Sequence, residues 1–84
     1  MSDNELEFTV KFAEVKDATR QCGAAAYRLS RLWQIIGDTY LDGESLRPGI
    51  DDKAAQARSD YEEAVVELDA RRAELEALLL RAAG

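Results

Sequence analysis

DDKAAQARSDYEEAVVELDARRAELEALLLRA, residues 51–82, decides the fold. The run holds no internal Gly or Pro. Within it Tyr61, Ala64, Val65, Leu68, Leu75, Leu78, Leu79 and Ala82 recur at steps of three and four, the spacing that lines one face of an α-helix. Asp60, Glu62, Glu63, Glu67, Asp69, Glu74 and Glu76 fill the gaps. A helix of this length runs to nearly 50 Å at about 1.5 Å per residue. It cannot bury its apolar stripe alone, so it needs a partner in this chain or in another.

The nearest partner lies upstream. From Ala13 to Leu41 the period is again helical. Val15, Cys22, Leu29 and Ile36 repeat every seven residues, and Ala18, Ala25 and Leu32 take the next core step. Thr19, Ala26, Trp33 and Tyr40 widen the stripe, and Trp33 and Tyr40 are expected in the core rather than as an exposed aromatic anchor for a partner. The segment Cys22-Gly23-Ala24-Ala25-Ala26 is small on every side, so a second backbone can approach closely. Gly23 inside a helix costs about 1 kcal/mol relative to Ala and marks a candidate break. Gly37 is a candidate C-terminal stop. Between the two helical stretches, Asp42-Gly43-Glu44-Ser45-Leu46-Arg47-Pro48-Gly49 reads as loop, because Gly43 and Pro48-Gly49 interrupt the pattern. Asp51 is expected to cap the second helix, with Ile50 stapled against its first turn.

Residues 5–12 alternate strictly. Leu6, Phe8, Val10 and Phe12 fall on one side, and Glu5, Glu7, Thr9 and Lys11 on the other. Period two with Phe, Thr and Val reads as a half-buried strand. A helical reading competes. Ser2 and Glu5 have the spacing of a capping box, and Phe8, Phe12, Val15 and Thr19 fit a helical stripe. As a lone strand, the segment would pair most economically with its own copy in a dimer.

The fold expected is therefore all-α: one small domain, 1–84, built as an antiparallel two-helix hairpin and dimeric. Residues 1–12 form an extended or β arm, 13–41 helix one, 42–50 the loop and 51–82 helix two. Helix one is allowed a break near Gly23 or Gly37. The hairpin seam is expected to set Val15, Cys22, Ala25, Leu29, Leu32, Trp33 and Ile36 against Tyr61, Val65, Leu68, Leu75, Leu78 and Leu79.

Composition narrows the function. The chain has 84 residues and a formal net charge of −6, with charged residues at 33% and both signs interspersed. That pattern is not one of disorder. Acidity opposes general nucleic-acid binding, which wants a basic face, and opposes docking on an anionic membrane. No stretch has the length and hydropathy to span a bilayer. Cys22 stands alone, so no internal disulfide forms; with no signal peptide at the start, the expected home is a reducing cytoplasm. Histidine is absent, which removes the commonest general base and metal ligand.

Each chemical motif has a plainer reading beside it. Glu63, Glu67 and Glu74 lie along one side of helix two, as carboxylates of a metal-dependent enzyme do. Arg71 interrupts the row, no calcium-loop spacing is present, and a solvated face with pairs such as Glu67–Arg71 is favoured. Asp60, Glu67 and Glu74 repeat by heptads, as do Glu62, Asp69 and Glu76. Two such rows imitate the phosphates of a nucleic acid, against the simpler role of solubility. A strand followed by two helices is also the order of a ribbon-helix-helix DNA binder. The outward strand face is net acidic and the helices are too long for that reading. Cys22 lacks a His partner and sits among alanines, as a small buried hydrophobe does.

The expectation is a non-enzymatic protein–protein interaction module: a small acidic adaptor, assembly factor or regulator of phage or bacterial scale. Its partner is another protein, with a homodimer included and no direct nucleic acid or membrane. It uses no cofactor, catalytic residue or metal ligand. Phe8, Phe12, Tyr27 and Leu80 are the apolar contact candidates; Glu62, Asp69 and Glu76 are the charged ones. The runner-up is an acidic inhibitor that mimics nucleic acid or blocks a basic groove. A carboxylate-metal enzyme comes third.

Overall fold

The computed structural model describes residues 3–83, with side chains placed for 5–83. Two helices make up the whole of it. α1 runs from Asp3 to Leu41 and α2 from Ile50 to Ala83. They lie side by side as a rod of 62 × 18 × 17 Å. The antiparallel sense follows from the ends: Glu7 pairs with Arg81 at the open end, while Ile36 and Ala54 meet near the loop.

The seam follows one uninterrupted heptad clock in each helix. In α1 it falls on Phe8, Lys11, Val15, Ala18, Cys22, Ala25, Leu29, Leu32 and Ile36, none of which is exposed. In α2 it falls on Ile50, Ala54, Ala57, Tyr61, Ala64, Leu68, Arg71, Leu75 and Leu78, again none exposed. Only Ala18, Ala25, Ile50, Ala54, Ala57 and Leu78 are fully buried. Four of those six are alanines. A methyl-sized seam lets two helices approach closely but removes little apolar area per layer.

Three expectations need correction. Residues 5–12 are not a strand: α1 is helical from Asp3 through them. The alternation spans only four apolar residues, and two of these, Phe8 and Phe12, also fit a helical step. A strand would leave its backbone groups without a ladder partner, whereas the helix satisfies them internally. Lys11, assigned to an outward strand face, instead lies on the seam toward α2. The Ser2–Glu5 capping box lies outside the described residues. Nor is α1 broken at Gly23 or Gly37; it passes through both. Finally, Trp33, Tyr40 and Leu79 are not core. Trp33 is 56% exposed, Tyr40 80% and Leu79 45%, because each sits one helical step off the seam.

The hairpin turns where the sequence placed its loop. α1 ends in a Schellman motif. Gly43, at φ 71°, donates its N–H to the Tyr40 carbonyl at 3.1 Å. Glu44 donates to the Thr39 carbonyl, also at 3.1 Å. A left-handed residue is required there and Gly supplies it without strain. α2 begins one residue earlier than expected. The Gly49 carbonyl, not that of Asp51, accepts the first helical bond, from Lys53 N–H at 3.0 Å. Asp51 and Asp52 occupy the first turn, where carboxylates favour the positive end of the dipole. Ile50 is buried, closing the loop end of the seam beside Leu32 and Pro48.

Candidate interaction surfaces

Two long edges flank the seam, and they differ in chemistry. One edge is charged. At its heart Lys11 and Arg71 occupy seam positions, and three carboxylates gather round them. Lys11 Nζ donates to Glu74 Oε2 at 2.9 Å and reaches Glu14 Oε2 at 3.5 Å. Arg71 Nε donates to Glu67 Oε1 at 2.7 Å, and its Nη1 reaches Glu14 and Glu74 at 3.4 Å each. Glu7 and Arg81 add a pair at 3.6 Å. Each glutamate of the cluster thereby meets a cation, and Glu14 and Glu74 each bridge the two helices.

The electrostatics follow from this geometry. The hydrogen bond from Lys11 holds the Glu74 carboxyl below its ordinary range. The same bond, with Glu14 nearby, raises the Lys11 ammonium. Glu67 raises Arg71 further. The sequence hides the cluster because the strand reading turns Lys11 outward, and Arg71 reads there as a gap in an acidic row paired only with Glu67 on its own helix. The signal was available: both fall on the heptad clock of their neighbours.

The other edge carries few charges on α1, although Asp51, Arg58 and Glu62 of α2 lie beside Trp33. Phe12, Thr19, Ala26, Trp33 and Tyr40 form one heptad column, beside a column of Thr9, Lys16, Gly23, Ser30 and Gly37. Together they step by three and four, as a second seam does. Every member except half-buried Ala26 is exposed. Tyr40 is 80% exposed. The Thr9 and Thr19 hydroxyls donate to the carbonyls of Glu5 and Val15, at 2.9 and 2.8 Å, so neither needs an outside partner. No atom of α2 lies within 4 Å of where a Cβ on Gly23 or Gly37 would sit.

The named contact candidates divide between these surfaces. Phe8 is half-buried and packs toward Leu78, with its ring stacked on Phe12 at 6.3 Å. Phe12 lies on the open face and Tyr27 on its flank, both exposed. Leu80 is 74% exposed on the outer side of α2, as is Val66, which the sequence reading did not single out. Glu62, Asp69 and Glu76 are exposed along one row of α2. Glu62 accepts from Arg58 at 3.2 Å. Of the six acids in the two heptad rows, Glu62, Glu67 and Glu74 each have a cation beside them. Asp60 accepts from Gln56 at 2.9 Å.

Glu63, Glu67 and Glu74 do not converge with other ligands. Among the described residues no group of three His, Cys, Asp or Glu side chains is close enough to hold a metal ion. Cys22 is a free thiol, half-buried on the hairpin seam. Among the described residues no helix is long and apolar enough to cross a membrane. The chain matches no family model, no curated protein and no solved structure.

Proposed function

We propose that the protein is a non-enzymatic interaction module, a rigid hairpin that offers the open face of α1 to another helix. One observation carries the reading. The hairpin has closed its own seam, yet Phe12, Trp33 and Tyr40 remain exposed in a single column. Burying such aromatics is what anchors helical interfaces. The acidic outer side of α2 then sets orientation and association rate, since charges outside a contact act mainly in those ways. The alternative, an inhibitor imitating nucleic acid, draws less support: its acidic rows are partly neutralised by Arg58, Lys11 and Arg71.

Affinity capture from a host lysate separates the two. Trp33→Glu is expected to abolish retention of the partner, while joint reversal of Glu62, Asp69 and Glu76 to Lys leaves it nearly unchanged. The opposite pattern, with DNA competing for the partner, overturns the proposal in favour of mimicry.

A further inference from the structure

We infer that the occupant of the open α1 face is the same face of a second copy, packed antiparallel to give a four-helix bundle. The inference rests on the interaction reading above and names its partner.

The first argument is area. A compact monomer of 9.3 kDa is expected to expose about 5,000 Å². This chain exposes 6509 Å². The surplus, on the order of 1,500 Å², exceeds the roughly 800 Å² that each partner contributes to a standard interface.

The second argument is shape. Set α1 against its antiparallel copy so that paired residue numbers differ evenly about the point between Ala24 and Ala25. Phe12 then falls opposite Gly37, and Gly23 opposite Ala26. Thr19 meets Ser30, and Tyr40 meets Thr9. Phe12 and Tyr40 each face a small residue, the alternation that lets layers interdigitate. Gly23 and Gly37 cost the helix about 1 kcal/mol each relative to Ala. Nothing within the hairpin requires them, because their outward space is empty. Opposite Ala26 and Phe12 they have a use.

The third argument is charge. Two chains of net charge −6 repel unless they meet where acids are absent. The two columns contain no acid, and their single charge, Lys16, falls opposite the face of Trp33, where a cation–π contact forms. In a square bundle Glu62, which lines the same cavity as Trp33, also turns toward the second copy, and Arg58 beside it offsets its charge. The direction is also right. The open face is offset from the hairpin seam by one residue step, about 100° round the helix. That is near the right angle between neighbours in a square four-helix bundle.

Sedimentation tests this with the full chain. The wild type is expected to run as an 18.6 kDa species, twice its chain mass of 9.3 kDa, at micromolar concentration. The emission of Trp33, the only Trp, should shift to the red on dilution. Gly23→Gln adds bulk where the isolated hairpin has room and improves helix propensity. It is therefore expected to give a monomer whose helicity is undiminished. Register is read in a Cys22→Ser background by mixing Thr19→Cys with Ser30→Cys chains under mild oxidation, where the mixed disulfide should exceed both like pairs. A dimeric Gly23→Gln variant, or a predominance of like pairs, overturns the inference. A wild-type chain that stays at 9.3 kDa at about 100 μM overturns it too. In that last case, loss of lysate capture by Trp33→Glu would still uphold the broader interaction reading, so the two failures are distinguishable.

Discussion

The run Leu78-Leu79-Leu80 gives the sharpest test of the hairpin. Three consecutive leucines cannot all face one seam, and the structure separates them: 4% of Leu78 is exposed, against 45% of Leu79 and 74% of Leu80. Leu78→Ala removes three buried carbons, about 2.4 kcal/mol at roughly 0.8 kcal/mol each. A cavity term adds to this, but the site lies near the open end beside Phe8 and Ala82, where the chain collapses readily. A total near 2.5 kcal/mol is expected. For a chain of this size whole-molecule stability is about 4–13 kcal/mol, and the loss corresponds to a fall in Tm of roughly 10–20 °C. Leu80→Ala should stay within about 0.5 kcal/mol, as exposed substitutions do. Urea unfolding followed by circular dichroism at 222 nm, at one fixed protein concentration, measures both. Equal losses, or a larger loss at Leu80, would refute the assignment of the seam.

The remaining expectations concern the turn and the charged edge. Gly43→Ala forces a Cβ into the left-handed region at φ 71° and should cost about 1 kcal/mol, read as a lower urea midpoint with unchanged helicity. Glu74 is held below its ordinary value by Lys11, so its contribution is present above the unfolded carboxyl value and is lost as pH falls through the folded one. Lys11 is raised, so its share is present below the unfolded ammonium value and is lost as pH rises through the folded one. The urea midpoint should therefore decline at both ends, and Glu74→Gln should flatten both limbs; superimposable limbs in the two proteins would contradict this. Replacing Lys11 and Arg71 together by Met should leave stability equal or higher, whereas Glu14→Gln with Glu74→Gln should lower it, because the second pair strands Lys11 on the seam and leaves Arg71 only Glu67. Thermal melts of both double variants decide the sign.

Much of this fold is legible in the sequence because both helices keep an apolar heptad over long runs and the loop carries its own stop signals. The hairpin, the loop at residues 42–49 and the Glu67–Arg71 pair all follow from spacing. Residues 5–12 read two ways, since their four alternating apolar residues fit a strand while Phe8 and Phe12 also fit the helical step, and only the rest of α1 decides between them. Trp33 illustrates a subtler limit. Aromatics one step off a seam look like a broader seam, and only the narrow alanine-lined approach of the second helix leaves Trp33 and Tyr40 outside it. The open face was visible as the small-residue run around Gly23, but its meaning depended on knowing which face α2 occupies.

The charged edge also bears on why the hairpin has one register, although an alanine-rich seam fits nearly as well after a slide of one heptad. Slide α1 one way and Lys11 leaves Glu74 for Arg81, while Arg71 leaves Glu14 for Gln21. Cation then meets cation and two carboxylates lose their partners, a cost paid at a site where the native register has only complementary pairs. Slide it the other way and the charges remain content, since Lys11 finds Glu67 and Arg71 finds Glu7. What forbids that register is apolar. Leu32 and Ile36 pass beyond Ile50 at one end, and Leu75 and Leu78 pass beyond Phe8 at the other. Leu32, Ile36 and Ile50 close one end of the seam and Phe8, Leu75 and Leu78 the other, so this slide uncovers large residues at both ends. Charge excludes one slip and the large residues at the two ends exclude the other, which is how a seam too thin to specify itself by packing alone comes to hold a single alignment.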